Sequence, residues 1–188
     1  MQAKNLRTTI AYAAGIITVL SGITVLTGWQ FDSYTLETFG LGGVTMKVNT
    51  ALSFLLLGIA LVLLQRGDRR INIILARIFS GVVALLGLLV LSQYVFAVNF
   101  GIDEFFFRDV PNAIDTSSPG RMAPNTSLNF VLLGVALFAF SFRKRKKSLL
   151  VLILFVTAFS ISMIGLFGYI LGLKELAGLV AYTKMAVY

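Results

Sequence analysis

Residues 46–64 read MKVNTALSFLLLGIALVLL, an apolar run without a charged residue after Lys47. An α-helix needs about 20 mainly apolar residues to cross a bilayer. Four further stretches are similar, so the sequence predicts spans over 8–28, 48–64, 71–98, 125–142 and 149–173. The chain is 57% hydrophobic and only 13% charged, whereas soluble domains are about 25% charged. We therefore predict an all-α polytopic transmembrane bundle, with residues 1–188 forming a single transmembrane domain.

The opening stretch occurs a second time in the chain. MAPNTSLNFVLLGVALFAF, residues 122–140, aligns with 46–64 without gaps and is identical at ten of nineteen positions. The helices before each copy end in TGWQF and SQYVF, and the last span ends in FGYIL, which aligns Trp29, Tyr94 and Tyr169. We therefore predict a fold of repeated two-helix hairpins, with these three aromatic residues at the membrane interface.

The end of the chain resembles the beginning of another return helix. In TKMAVY, Met185 follows Tyr169 at nearly the interval that separates Met46 from Trp29. We expect a fragment of five spans plus the start of a sixth, with 174–188 forming an outer segment and the first turn of that helix. A natural amphipathic tail that lies on the membrane surface is the alternative.

The charged residues predict the orientation of the helices. The segments 1–7, 65–70 and 143–147 hold ten basic residues and one acidic residue. The connections 30–47 and 99–124, together with the tail, hold five basic and seven acidic residues. Basic loops stay in the cytoplasm, so we expect a cytoplasmic amino terminus. Arg77, inside the third span, is expected to extend to the cytoplasmic interface, although a buried polar contact within the bundle is an alternative.

The composition excludes several kinds of chemistry. The chain contains no Cys and no His, which rules out disulfides, thiolate metal sites, His-ligated haem or zinc, and a His general base. The sequence has no glycine-rich phosphate loop, no nucleophile elbow and no basic–aromatic nucleic-acid motif. We therefore predict no catalytic residue, no metal ligand, no cofactor and no nucleic-acid partner. The lipid bilayer is the expected partner.

Polar residues at the start of the two related helices are the candidates for a site: Asn49, Thr50, Ser53, Asn125, Thr126 and Asn129. Asn and Thr side chains often cap the free amide groups of a first helical turn, and capping is the first interpretation. Asn49 and Ser53 lie four residues apart, as do Asn125 and Asn129, so each pair shares a helix face. A small polar ligand pocket near the outer leaflet is therefore the second interpretation.

The long connection 99–124 is the most charged segment expected on the outer side. Glu104 and Arg108 lie four residues apart and flank three phenylalanines, which predicts a short helix that anchors the loop to the membrane surface. The alternative is a lid over the outer end of the bundle, with Arg121 contacting an anion.

Several of these stretches together resemble a known family. SPGRMAPNTSLNFVLLGVALF, VNTALSFLLLGIALVLL, GIDEFFFRD and the terminal TKMAVY are similar to the amino-terminal multi-pass membrane region of some bacterial sensor histidine kinases and diguanylate cyclases. The resemblance implies an input module in the bacterial inner membrane that passes a helix movement to a cytoplasmic output domain. It also implies a homodimer, and it leaves open whether the ligand is a small molecule or a lipid.

The chain departs from the family pattern in two ways. It ends before a sixth helix, and Tyr188 stands where the third repeat would have a His, which puts in doubt any role that needs this His. Two other functions remain open. One is a structural or assembly subunit of a membrane complex. The other is a transporter or channel subunit, which would be expected to carry ionisable residues or broken helices at mid-membrane.

Overall fold

The computed structural model describes residues 2–41, 43–66, 69–109, 118–142 and 149–171. These residues form six helices and no strand: α1 (Gln2–Gln30), α2 (Tyr34–Glu37), α3 (Val48–Gln65), α4 (Arg70–Phe96), α5 (Pro124–Phe140) and α6 (Leu149–Ile170). The predicted all-α class is confirmed. The predicted outer segment and sixth-helix start at 174–188, the basic segment 143–147 and the side chain of Tyr169 lie outside the described residues.

Four helices of the described part are long and apolar enough to cross a membrane: Leu6–Gln30, Val48–Gln65, Arg70–Phe96 and Leu149–Gly168. They are compatible with a multi-pass membrane protein. α5 is apolar too, but its 17 residues extend only about 25 Å at the usual helical rise. The hydrocarbon core of a bilayer is about 30 Å thick, so a fifth span over α5 stays a prediction.

The long helices pack on one another largely in chain order. α1 packs on α3, α3 on α4, α4 on α5, and α5 on α6. One apolar core lies between α3, α4 and α5, where the rings of Phe54 and Phe130 meet edge to face with centroids 5.4 Å apart. A smaller core lies between the end of α1 and the start of α3 and includes Val25, Trp29 and Met46.

Glycines bring two pairs of helices into backbone contact. A Cβ atom at Gly58 of α3 would lie 2.8 Å from the carbonyl oxygen of Gly15 in α1. A Cβ atom at Gly134 of α5 would lie 2.7 Å from the carbonyl oxygen of Ser80 in α4. A backbone oxygen cannot rotate out of the way as a side chain can. The close approach of both pairs therefore depends on the missing side chain, as expected for small residues between membrane helices.

Arg77 makes a polar contact with the end of α5, which the sequence offers as the second of its two interpretations. Its Nε donates to Ser141 Oγ at 2.9 Å, and its Nη2 donates to the Ser141 carbonyl oxygen at 3.2 Å. Its Cζ lies 3.9 Å from the ring centroid of Phe142. Ser141 is the C-cap of α5, where carbonyl groups lack helical partners and the helix dipole favours a cation.

The glycine contacts predict different effects for two alanine substitutions in the α4–α5 pair. Gly134→Ala should lower the free energy of unfolding by about 1–3 kcal/mol, because the new methyl group overlaps the backbone of α4. Gly81→Ala should be neutral or stabilising, since the nearest atom to its Cβ is Phe138 Cδ2 at 3.8 Å and alanine favours helix. Reversible unfolding in lipid bicelles measures both. Equal effects of the two substitutions would contradict the predicted dependence on close approach.

Candidate functional site

Buried polar side chains collect at one end of the bundle. We call this the long-loop end; there α1 and α4 end, α3 and α5 begin, and the segments 31–47, 97–109 and 118–123 connect them. The buried polar or charged residues at this end include Glu37, Lys47, Asn49, Gln93, Asp103, Asp109 and Arg121. Burying a charge is costly unless the charge is paired and hydrogen-bonded, so the partners of these side chains define the site.

The first ion pair joins Asp103 to Arg121. Arg121 Nε donates to Asp103 Oδ2 at 2.7 Å, and both side chains are less than a tenth exposed. Gln93, on the last turns of α4, donates from Nε2 to both oxygens of Asp103 at 3.1 and 3.0 Å. Gln93 Oε1 accepts from the backbone N–H of Phe100 at 2.8 Å and from Arg121 Nη2 at 3.3 Å. One buried amide therefore connects the end of α4 to the loop and to the start of α5.

The second ion pair joins Lys47 to Asp109, and it ties the loop after α4 to the start of α3. Lys47 Nζ lies 2.5 Å from Asp109 Oδ2, and each side chain is 3% exposed. The same carboxylate oxygen accepts from the backbone N–H of Gly120 at 2.9 Å. Asn49 adds a parallel link, because its Nδ2 donates to the Ile102 carbonyl oxygen at 3.2 Å.

Two aromatic side chains make like contacts at this end. Trp29 Nε1 donates to the Met46 carbonyl oxygen at 2.8 Å, and the Tyr94 hydroxyl donates to the Met122 carbonyl oxygen at 2.9 Å. Each bond connects the end of one helix to the residues just before the next long helix. Trp29 is buried and also contacts the ring of Phe107, with centroids 6.2 Å apart. Protein therefore surrounds the Trp29 indole at the position where the sequence predicts a membrane-interface residue.

The loop after α4 contains no helix from residue 97 to 109, so the predicted interfacial helix at Glu104 and Arg108 is wrong. A local side-chain bond replaces the helical pattern, because Glu104 Oε1 accepts from the backbone N–H of Asp109 at 2.9 Å. The loop has features of both predicted roles. Asp103 and Asp109 are buried against the bundle, as a lid requires, while Phe105 and Phe106 are exposed, as a membrane anchor requires.

The polar candidates at the helix starts do not cap. The N-cap residues are Lys47 and Ala123, without a side-chain cap, so Asn49 and Asn125 occupy the second helical position. Asn49 bonds to the loop instead, and Ser53 Oγ donates back to the Asn49 carbonyl oxygen at 2.7 Å. Pro124 begins α5, as proline at a helix start should.

The remaining candidate residues differ in their burial and in their hydrogen-bond partners. Asn129 is buried and donates from Nδ2 to Ser162 Oγ of α6 at 3.0 Å, while its Oδ1 has no partner among the described residues. Thr50 is buried, whereas Asn125 and Thr126 are half-buried. Arg121, which contacts an anion in the lid alternative, is paired with the carboxylate of Asp103. Asn49 and Asn129 thus serve different contacts, one to the loop and one to α6.

Sequence analysis does not select Gln93, Lys47, Asp103 or Asp109 as site residues. A polar amide near the end of an apolar helix is the signal that could have identified Gln93.

Beside the Asp103–Arg121 pair, a cleft of about 550 Å³ opens between the end of α4 and the segments 99–104 and 118–121. Its volume lies within the range of small-molecule sites. No group of three or more potential metal ligands occurs in the described part of the chain.

Glu37 is a buried carboxylic acid at the long-loop end whose pKa is shifted by its surroundings. Burial raises the pKa of its carboxyl group above the ordinary value of 4.5, the nearby carboxylates of Asp109 and Asp32 raise it further, and Lys47 lowers it. Protonation of Glu37 is therefore easier in the folded protein than in the unfolded chain.

Comparison with known proteins gives no matching family model, no similar curated protein and no similar solved structure.

Breaking the second ion pair predicts a large loss of stability. Lys47→Met leaves Asp109 buried without its cation and should lower the free energy of unfolding by about 3–5 kcal/mol. The double substitution Lys47→Met/Asp109→Asn should recover much of the loss, since it also removes the negative charge that Lys47 balances. The exposed Arg108 provides a control, because Arg108→Met removes one positive charge from the same end of the bundle and should change little. A double variant as unstable as Lys47→Met would contradict this account.

The raised pKa of Glu37 predicts a pH dependence of stability. The stability from its protonated form is fully present below pH 4.5 and is lost as the pH rises through the higher folded-state value. Glu37→Gln should therefore be more stable than the parent at pH 7 and should lose less stability between pH 4.5 and 7. Thermal unfolding across this window measures the slope. Parallel curves for the two proteins would show that Glu37 does not titrate in this way.

Proposed function

We propose that this chain is the membrane-embedded sensory region of a bacterial signal-transduction protein, located in the inner membrane. One observation carries the proposal: the buried Lys47–Asp109 pair joins the loop after α4 to the start of α3. A stimulus that moves this loop therefore acts both on the α4–α5 pair, to which the loop belongs, and on the α1–α3 pair, to which Lys47 ties it. The sequence resemblance to sensor kinase and cyclase input regions points to the same function.

The proposed architecture is a set of repeated hairpins, α1–α3 and α4–α5, followed by α6 as the first half of a third. Like contacts at aligned positions support it. Trp29 and Tyr94 donate to the carbonyl groups of Met46 and Met122, and Gly58 and Gly134 make similar backbone approaches. In this architecture α5 is the fourth of five spans. The bilayer becomes locally thinner around it and so accommodates its short length.

The proposed orientation has the long-loop end outside and the amino terminus in the cytoplasm. It rests on the excess of basic residues in the segments 1–7, 65–70 and 143–147. A stimulus from outside the cell then reaches the buried ion pairs first, and the ends of α3 and α5 carry the movement to the cytoplasmic side.

The proposed mechanism is a shift between two arrangements of the hairpins. A ligand shifts such an equilibrium only by its difference in affinity for the two states. Charged pairs provide such a difference, because separating Lys47 from Asp109 without hydration or a new partner costs several kcal/mol, about 3–5 by analogy with other buried pairs. The close glycine contacts keep each hairpin together, so movement occurs between hairpins, not within them.

A structural or assembly subunit is the second candidate function, and α6 is the feature that favours it. Only 11% of the span Leu149–Gly168 is buried, and Asn129 Oδ1 beside it has no partner among the described residues. Both features suit a helix that packs against another membrane protein. A transporter has less support, since α3, α5 and α6 contain no charged residue and run unbroken.

Spin labels at the opposite ends of α3 and α5 test the sensory proposal. The chain has no native Cys, so Gln65→Cys and Phe140→Cys place labels at these positions alone. Distances are measured by pulsed electron resonance in nanodiscs. Asp109→Asn, which weakens the ion pair at the long-loop end, should shift the distance distribution or change its relative populations.

Asp32→Asn is the matched control, because Asp32 is an exposed acid at the same end, and it should leave the distances unchanged. Superimposable distributions for Asp109→Asn and the parent, with Asp109→Asn still folded, would reject the coupling. That result would favour the assembly function.

A further inference from the structure

The cleft beside the Asp103–Arg121 pair has two charged sides. Arg121 and Asp103 line one side, and the exposed Glu104 lines another. The Cγ of Glu104 lies 2.9 Å from the position that a Cβ on Gly120 would occupy. Gly120 directly precedes Arg121, so the Glu104 side chain approaches the chain one residue before Arg121.

Arg121 has hydrogen-bonding capacity that the described protein does not use. Its Nε–H is given to Asp103 and one Nη2–H to Gln93. The Nη1 group has no acceptor among the described residues, although the side chain is only 9% exposed. Nη1 is not one of the buried, unpartnered polar atoms of the described residues, so it is accessible from the cleft, and guanidinium groups bind anionic oxygens with charge-assisted bonds. The cleft therefore presents a donor for an oxygen of a ligand.

Glu104 also retains an open carboxylate oxygen. Its Oε1 accepts from the backbone N–H of Asp109, and its other oxygen has no hydrogen bond within the described part of the chain. This oxygen suits an N–H donor with positive charge, such as a primary ammonium group.

The total charge of the cleft selects between ligand classes. Two carboxylates and one guanidinium line it, so its net charge is negative. A simple anion would be repelled by Glu104 and Asp103, and a simple cation would leave the Nη1 group of Arg121 without an acceptor. A molecule with both an ammonium group and an anionic oxygen satisfies both sides.

The position of the cleft brings it close to lipid headgroups. Tyr94, Ala97 and Val98 line its third side at the end of α4, where the apolar span finishes. Val95 and Phe96 on the same turn are 75% and 70% exposed, which is typical of a surface covered by lipid. The cleft is thus open to molecules from water and to headgroups from the bilayer.

We propose that this cleft binds a zwitterion in which a primary ammonium group lies a few ångströms from an anionic oxygen. The ethanolamine phosphate of a phospholipid headgroup and a free α-amino acid share this chemistry. Glu104 receives the ammonium group, the Nη1 group of Arg121 donates to the anionic oxygen, and Tyr94 and Val98 contact the aliphatic part. The inference rests on the proposed function for its biological role, whereas binding itself can be measured separately.

Thermal unfolding of the full chain in phosphatidylcholine nanodiscs tests the proposal. Free phosphoethanolamine and leucine are added in separate arms, and phosphatidylethanolamine replaces part of the lipid in a third. At least one arm should raise the unfolding temperature saturably. Phosphocholine, acetate and ethylammonium are the controls and should have no effect, because each lacks one of the two required groups. A response to the lipid alone identifies the headgroup as the source, and a response to a free compound identifies a soluble ligand.

Glu104→Gln tests the assigned contact. Glutamine keeps an acceptor for the Asp109 N–H but loses the charge, so the apparent affinity should fall about tenfold or more. Asp32→Asn removes an exposed carboxylate away from the cleft and should leave the affinity unchanged. Equal responses to ethanolamine and choline compounds, unchanged affinity in Glu104→Gln, or no response in any arm would overturn the proposal.

The same nanodiscs separate this inference from the sensory function. Saturable binding that leaves the distance between labels at Gln65 and Phe140 unchanged would support the site and reject signalling by it. A shift on Asp109→Asn without binding of any zwitterion would support the signalling proposal and reject the site.

Discussion

The cost of burying charge determines the structure of the long-loop end. Lys47 and Asp109 are each 3% exposed, and each would be strongly destabilising there without the other. Their pairing fixes the loop after α4 over the start of α3. With the loop in this position, Asp103 lies next to Gln93 and Arg121, and Phe107 lies next to Trp29. The order of the polar network thus follows from one constraint, namely that no charge at this end can be buried alone.

The rest of the bundle is held by a different kind of contact. Lipid tails are as apolar as leucine side chains, so the hydrophobic effect does little to press spanning helices together. Gly58 and Gly134 instead let backbones approach closely enough for dispersion forces to act over many atoms. Closely packed pairs of helices and an end with buried ion pairs therefore coexist in one chain, and different interactions stabilise the two parts.

Sequence patterns predict the helices well because length and apolarity are local properties. The predicted 48–64 and 71–98 correspond to Val48–Gln65 and Arg70–Phe96. The polar network could not be predicted in this way, since Lys47 and Asp109 are 62 residues apart and Arg121 and Gln93 are 28 apart. The capping rule also failed at Asn49, because α3 begins one residue earlier with Lys47 as its N-cap, and Asn49 Nδ2 donates to the distant carbonyl group of Ile102. Local periodicity carries no information about such partners.

The surroundings of Trp29 have a practical consequence. It is the sole tryptophan of the chain, and its indole is buried between α1, the start of α3 and the ring of Phe107. Its ultraviolet emission therefore arises from a single place, where the first helix pair meets the loop of the second. Any rearrangement that admits water to the Trp29 indole shifts the wavelength of its emission maximum. The native protein therefore contains its own fluorescent probe at this junction.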